Sequence, residues 1–396
     1  MTTTLTALDG PRLVRRLVPA QGLFILGSSV DLTLTGIVGS HLAPSRALAT
    51  LPFSLIPVVA AATTFGLSRW IGRSGYRRVF SAAAAVAVLA GLVSALGVQR
   101  HEFWLFCVGT GLVGVYSAGA GYYRYAAAEA NPEQRARAVS TLLGGGLVAA
   151  LVGPFLATAV RDLTATPYVA SYLLVSLCGL VAAIWNARLP RELVTLAAPA
   201  RSVDDTGARS RAVLWRQPVL LLGVASVALA GVAMTAMMTA GPIAGMDMGH
   251  SDQQASWAVQ LHLIGMFAPG FVVARWIGRF GERRIAALGA VVLATAGVAA
   301  AVSTQMWAFL VAMTVVGVGW NLASSGGSAM VASSYRPAER GRVQPVAELV
   351  GTSCQVLGSL FAGVLATTAG WHVLGVAVVV GGLVVAGAAT RRVVRS

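Results

Sequence analysis

Three titratable side chains lie inside long apolar stretches of this 396-residue sequence. Asp31 follows "SSV", His262 follows "WAVQL" and Glu348 follows "VQPVA". Charged groups are costly in apolar surroundings, and those that persist there usually have a function. A carboxyl or imidazole group at such a position can take up and release a proton, so these three residues are the candidates for proton coupling.

Each candidate also has a structural interpretation that the sequence leaves open. Asp31 can be a buried acid whose oxygen is capped by Ser28 or Thr35, about one helical turn away. The histidine can be a satisfied core residue. Glu348 can be a partner at an inner gate for an arginine such as Arg342, because it lies close to the basic end of its apolar run.

A second set of polar and aromatic side chains interrupts the apolar runs and is suited to contact a solute. The candidates for a substrate cavity are Arg124, Tyr123, Gln260, His262, Trp320 and Asn321. The adjacent indole and carboxamide of Trp320 and Asn321 can stack on a flat ring and orient it. Arg124 can pair with a carboxylate. The alternatives are an arginine that snorkels to the interface, a tyrosine belt, and an asparagine that joins two helices.

No metal or other cofactor is predicted. The stretch "GMDMGHSD" at 245–252 mixes Met, Asp and His, but no second cluster supports a metal site. We expect this stretch to be a loop in which Ser251 or Asp252 caps the next helix. The run Gly144-Gly145-Gly146 lacks the strand, the lysine and the hydroxyl residue of a phosphate loop.

The elements that carry these residues are predicted to be membrane-spanning helices. Hydrophobic residues make up 56% of the chain and charged residues 11%, against about 25% in soluble domains. A helix needs about 20 apolar residues to cross a bilayer. Twelve such runs lie near 16–40, 46–67, 79–98, 102–127, 138–160, 167–187, 217–241, 253–274, 285–303, 305–332, 343–367 and 370–389. The predicted fold class is therefore an all-α membrane protein.

The basic residues give the orientation. The net charge is +15, and every one of the 29 Lys and Arg positions is arginine. With the N-terminus in the cytoplasm, the outer loops hold only Arg46, Arg100 and Arg161, and Arg124 lies within a span. This segregation follows the positive-inside rule and predicts an inner-membrane protein with both termini cytoplasmic. Nucleic-acid binding is not predicted, since it would cluster the arginines on a soluble face.

The sequence repeats itself in register. "RWIGRSGYRR" at 69–78 returns as "RWIGRFGERR" at 275–284, and "NPEQRAR" at 131–137 returns as "RPAERGR" at 336–342. Gly153-Pro154 aligns with Gly358-Ser359 at the same spacing of about 205 residues. Three matches in register predict a duplicated six-helix unit. We therefore expect six-helix bundles at 1–187 and 217–396, joined by a cytoplasmic linker at 188–216 that mixes both charge signs with Pro and Gly.

These motifs resemble those of a major facilitator superfamily (MFS) permease over the whole chain. The family's loop between spans 2 and 3 reads Gly-x-x-x-Asp-Arg-x-Gly-x-Arg-Arg. The matching residues here, twice over, are Arg73, Gly75, Arg77, Arg78, Arg279, Gly281, Arg283 and Arg284. The resemblance implies that they form a cytoplasmic gate or anchor the loop to anionic lipid headgroups, with each glycine permitting a short turn. Gly72 and Gly278 replace the family's aspartate, so its latch is not expected.

The resemblance also implies the MFS fold, with twelve transmembrane helices in two pseudo-symmetric six-helix bundles. Transporters of this type bind substrate near the midplane and expose it alternately to each side. We predict a monomeric, proton-coupled secondary transporter of a small organic solute, and not an enzyme. Gly153-Pro154 is similar to part of the antiporter motif of span 5 and slightly favours efflux. The alternatives are a nutrient or vitamin uptake permease and a non-transporting sensor or scaffold.

Overall fold

The computed structural model describes residues 9–131, 135–190, 209–336 and 339–390, and these ranges contain helices and no strand. Two compact units divide the chain: Met1–Ser45 with Leu51–Ala200, and Arg46–Thr50 with Arg201–Ser396. The helices of unit 1 are α1 (Asp9–Leu42), α2 (Leu51–Gln99), α3 (Phe103–Gly121), α4 (Tyr123–Ala130), α5 (Arg135–Ala159) and α6 (Val169–Ala187).

Unit 2 is built in the same way. Its helices are α7 (Arg211–Leu214), α8 (Pro218–Asp247), α9 (Asp252–Phe267), α10 (Gly270–Phe280), α11 (Glu282–Val302), α12 (Met306–Ser333), α13 (Arg340–Thr368) and α14 (Gly370–Thr390). A short 3-10 helix covers Arg46–Leu48. The described part of the chain is therefore all-helical, as predicted from composition.

The two copies of the arginine motif turn at the same glycine. Gly75 has φ 76° and ψ 166° and breaks α2 into two parts, 51–74 and 76–99. Gly281 has φ 87° and ψ 149° and separates α10 from α11. A side chain rarely adopts these dihedral angles, which are accessible to glycine. One glycine thus separates consecutive helices in both units, at the short turn that the motif predicts.

The eighth predicted span is not one continuous helix. The prediction placed it at 253–274, whereas α9 ends at Phe267, and Val272–Phe280 continues at 47° to it. Pro269 and Gly270 lie at the break, where a proline cannot continue the ladder of backbone hydrogen bonds. At its start, α9 carries a reciprocal capping box: Gln254 N donates to Ser251 Oγ and Ser251 N donates to Gln254 Oε1. The predicted cap at Ser251 is confirmed.

Eight helices in the described ranges are long and apolar enough to cross a membrane, or nine if the bent pair is one span. One of them is α2, whose 49 residues correspond to about 73 Å of helix, more than twice a hydrocarbon core of about 30 Å. The break at Gly75 allows this single element to supply the two predicted spans at 46–67 and 79–98. The full count of twelve stays a prediction.

The duplication is visible in how helices approach one another. A Cβ added to Gly153 in α5 would lie 2.5 Å from Ser29 Cβ in α1. A Cβ added to Gly358 in α13 would lie 2.7 Å from Thr235 Oγ1 in α8. Both pairs are related by the repeat spacing, so the same close helix crossing occurs in each unit. Glycine permits it because no side chain separates the two backbones.

Candidate functional site

Asp31 forms a short hydrogen-bonded chain in unit 1. Its side chain is buried in α1, and Oδ1 lies 3.3 Å from Thr35 Oγ1, one turn further on. Thr35 Oγ1 lies 3.1 Å from the hydroxyl of Tyr172 in α6. A carboxylate only accepts, so Thr35 donates to Asp31 and Tyr172 in turn donates to Thr35. The chain therefore runs from Tyr172 through Thr35 to the carboxyl group.

The second oxygen of this carboxyl group is buried without a hydrogen-bond partner among the described residues. Across the described ranges Asp31 forms no ion pair either. A buried carboxylate is costly unless it is paired or neutralised by a proton. The geometry is that of a group that can bind a proton. The same geometry contains the predicted hydrogen bond from Thr35. The interpretation of Asp31 as a capped buried acid and its interpretation as a proton site therefore apply to one arrangement.

His262 is a second buried titratable side chain, in unit 2. The ring is fully buried in α9, with Nδ1 3.0 Å from the carbonyl oxygen of Met313 in α12. Because a carbonyl only accepts, Nδ1 carries the hydrogen of this bond. The other nitrogen, Nε2, is buried and has no partner among the described residues. The imidazole is thus fixed on one side and can bind a proton or a donor on the other.

The other polar candidates of unit 2 lie along the same two helices. Asn321 Nδ2 in α12 donates to the carbonyl of Met266 in α9 at 2.8 Å, which is the predicted helix-joining role. Its Oδ1 and the indole Nε1 of Trp320 are buried without partners in the described part of the chain. Gln260, also in α9, is buried. We call the contact of α9 with α12 around Met266 and Met313 the α9–α12 seam.

In unit 1, Arg124 and Tyr123 face different surroundings. Arg124 is exposed and lies over the ring of Tyr125, 5.0 Å from its centroid. Tyr123 is fully buried, accepts a hydrogen bond of 2.7 Å from Asn186 Nδ2 and packs on Phe80. The described contacts of both residues are therefore with their own unit. Their roles at a substrate cavity stay predictions.

Among the motif arginines, the two units differ. Arg283 Nε donates to the carbonyl oxygen of Ala389 at the end of α14, at 2.6 Å. Its counterpart Arg77 and the adjacent Arg78 line a groove beside α6. Arg279 lies over the ring of Phe280, and Arg73 and Arg284 are exposed. A gate or anchor function of these residues stays a prediction.

Glu348 lies in α13, but its side chain is outside the described part of the structure. Pro154 lies inside α5, next to the glycine that packs on Ser29. Close helix packing accounts for this Gly-Pro pair within unit 1.

One ionic cluster was not predicted. Glu339, at the start of α13, is buried and accepts hydrogen bonds from the backbone and side chain of Arg209, at 2.7–2.9 Å. Arg209 also donates to the carbonyl of Ser334 at 2.9 Å. The guanidinium holds the pKa of the Glu339 carboxyl well below its usual range, and the carboxylate raises that of Arg209. The pair ties the end of the linker to the turn before α13.

These observations define the class of protein. Long apolar helices carry isolated, buried titratable groups on α1 and α9, and a repeated arginine turn follows the second span of each unit. This combination is typical of a polytopic membrane transporter built from two repeats.

The particular family follows from sequence comparison. A profile of the Major Facilitator Superfamily matches residues 17–251 and 224–395. The chain belongs to the Major Facilitator Superfamily, a family of transporters and not of enzymes.

Several relatives are similar along nearly the whole chain. The riboflavin transporter RfnT of Brucella anthropi is 34% identical over 90% of this chain and 89% of its own length. The MFS-type transporter YddS of Bacillus subtilis is 24% identical over 88% of this chain and 84% of its own. Crystal structures of the nucleoside transporter NupG superpose with TM-scores of 0.73 and 0.67 at 13% identity. The superpositions cover 95% and 96% of this chain and 98% and 100% of the NupG chains. This similarity shows that the chain has the same fold.

Proposed function

We propose that this transporter imports riboflavin or a closely related flavin across the cytoplasmic membrane. The observation that carries the proposal is the 34% identity with a riboflavin transporter over 90% of the chain. This finding supports the vitamin-uptake alternative better than the efflux that the Gly153-Pro154 pair slightly favoured. The close packing of Gly153 on Ser29 gives that pair a structural explanation that does not depend on direction.

The chemistry of the ligand suits the groups at the α9–α12 seam. Riboflavin is an uncharged flat ring system with imide and ring-nitrogen hydrogen-bonding groups and a polyol side chain. Trp320 can stack on such a ring, while Asn321 Oδ1 and His262 Nε2 have capacity for further hydrogen bonds. An uncharged ligand needs no arginine in its site, and Arg124 already contacts Tyr125.

We further propose that import is coupled to inward proton movement through Asp31. The group is buried without a counter-ion among the described residues, and its only described hydrogen bond comes from Thr35. A proton from the outside neutralises the carboxyl group while it is buried, and the group releases the proton when it meets water on the inside. In this scheme the proton gradient drives accumulation of a neutral vitamin.

Expression in a bacterial riboflavin auxotroph that lacks its own flavin transporter tests the function. We expect growth at low external riboflavin, together with uptake of labelled riboflavin that stops when a protonophore collapses the gradient. Trp320→Ala should reduce uptake, whereas Trp307→Ala, at an exposed tryptophan of the same helix, should not. Membrane-inserted protein that supports neither growth nor uptake would contradict the proposal, and lowered retention of preloaded riboflavin would indicate efflux.

A further inference from the structure

A groove lies in unit 1, between the second part of α2 and the end of α6. It has a volume of about 610 Å³ and is open to the surroundings. Arg77 and Arg78 line one end of it. Small side chains line much of the rest, among them Ala82, Ala85 and Ala183. A cationic end and a shallow apolar floor are thus combined in one cavity.

The two arginines have no counter-ion in the part of the chain that the structure describes. Within the described ranges neither Arg77 nor Arg78 forms an ion pair or a hydrogen bond. The hydroxyl of Ser81, which also lines the groove, is buried without a partner there. Two guanidinium groups beside a hydroxyl donor form a favourable environment for a phosphate-type anion.

The surroundings indicate that this groove lies at a membrane surface, which the predicted orientation makes the inner one. Trp185, one residue after the groove-lining Ile184, is 39% exposed and donates its indole N–H to the carbonyl of Arg16 at 2.8 Å. Exposed tryptophans of this kind mark the headgroup level of a bilayer. Further along the two helices the exposed side chains are apolar, namely Leu89, Leu92, Leu173, Leu177 and Leu180. The groove therefore runs from a cationic end into the lipid-facing apolar surface.

Unit 2 provides an internal comparison, because the repeat gives each groove residue a counterpart. Leu288 and Val291 stand where unit 1 has Ala82 and Ala85, and they are 45% and 44% exposed. Arg283, the counterpart of Arg77, donates to the carbonyl of Ala389. In unit 2 larger side chains occupy the floor positions, and the first arginine is held by the protein. Among the described residues, the small-residue floor beside an arginine without a protein acceptor is thus found in unit 1 and not at the matching positions of unit 2.

We propose that this groove binds one anionic phospholipid of the inner leaflet. The phosphate lies between Arg77, Arg78 and the Ser81 hydroxyl, and an acyl chain follows the alanine floor toward Leu89. An anionic phospholipid carries its charge at one end and its apolar chains beyond it, in the same sequence as the arginines and the alanine floor of the groove. A soluble anion would leave the apolar floor uncovered, so the phospholipid is the occupant that fits. The site is independent of which solute the protein carries.

Native mass spectrometry of the full chain in neutral detergent tests the site. The probes are phosphatidylglycerol and, for comparison, zwitterionic phosphatidylcholine. We expect the first phosphatidylglycerol to bind more tightly than phosphatidylcholine. The double variant Arg77→Gln/Arg78→Gln should weaken it about 25-fold, at roughly fivefold for each arginine near an anionic headgroup. Ala82→Leu/Ala85→Val should also remove the preference, although it changes no charge.

The matched control is Arg283→Gln/Arg284→Gln, which removes the same charge from the other copy of the motif. It should leave the affinity of the first phosphatidylglycerol unchanged. The proposal is overturned if this control weakens binding as much as the unit 1 pair, or if Ala82→Leu/Ala85→Val binds like the unaltered protein. Displacement of the lipid by excess inorganic phosphate would also overturn it, because the ligand would then be a free anion. Thermal unfolding of each variant shows whether it is folded. If Ala82→Leu/Ala85→Val does not fold, the single variant Ala85→Val takes its place in the binding measurement.

Discussion

The close approach of α5 to α1 gives the most quantitative prediction, tested by Gly153→Ala. The new Cβ would lie 2.5 Å from Ser29 Cβ, against 3.4–4 Å for an ordinary contact. Ser29 Cβ is fixed by its backbone, so a rotamer change cannot relieve the overlap, and the two helices must separate by about 1 Å. Overpacking of this kind costs about 1–3 kcal/mol, offset by about 0.5–1 kcal/mol because alanine favours a helix over glycine.

The matched control is Gly144→Ala in the same helix, where an added Cβ has no atom within 4 Å. Gly144→Ala is stabilised by the higher helix propensity of alanine and has no overpacking. The difference in the free energy of unfolding between the two variants therefore measures the overpacking alone, about 1–3 kcal/mol in favour of Gly144→Ala. Chemical or thermal unfolding in one detergent measures it. Gly153→Ala should also slow uptake, because Ser29 and Asp31 share α1. A Gly153→Ala protein as stable as Gly144→Ala would refute the packing argument.

The remaining predictions concern the proton site, the motif turn and the linker pair. Asp31→Asn should abolish gradient-driven accumulation in proteoliposomes and leave exchange of labelled for unlabelled solute intact; unchanged accumulation would remove Asp31 from coupling. Gly281→Ala should lower the free energy of unfolding by about 1–3 kcal/mol, because φ 87° and ψ 149° lie in a region that only glycine adopts readily. Gly278→Ala in the preceding helix, where an added Cβ meets no atom within 4 Å, should not lower it, and equal thermal midpoints of the two variants would contradict this. Because Arg209 depresses the pKa of Glu339, the pair stabilises the fold above about pH 4.5 and loses this contribution as the pH falls further. The thermal midpoint of Glu339→Gln should therefore approach that of the unaltered protein on acidification, and a constant gap would argue against it.

Much of the architecture could be predicted because it depends on local sequence. The repeated "RWIGR" stretch predicts a turn at Gly75 and at Gly281, and both have positive φ. The serine before α9 predicts its cap, which the capping box confirms. The bend after Phe267 was missed because hydropathy measures composition over a window, although Pro269 was the available signal.

Long-range contacts could not be predicted from one sequence. Thr35 was a predicted partner of Asp31 because it lies one turn away, but Tyr172 is 137 residues further along the chain from Thr35. The same holds for Arg209 and Glu339, which come from the linker and from the turn before α13. The unit 1 groove depends on alanines that are indistinguishable in sequence from core packing residues. Only the placement of α6 beside α2 shows that they form its floor.

The most direct test of the account is riboflavin counterflow with the purified chain in proteoliposomes. Vesicles loaded with unlabelled riboflavin should take up labelled riboflavin transiently above its equilibrium level, and an inward proton gradient should then drive net uptake into empty vesicles. Protein-free vesicles are the control. Correctly inserted, folded protein that exchanges no flavin, or that takes it up at a rate unaffected by the proton gradient, would contradict a proton-coupled flavin importer.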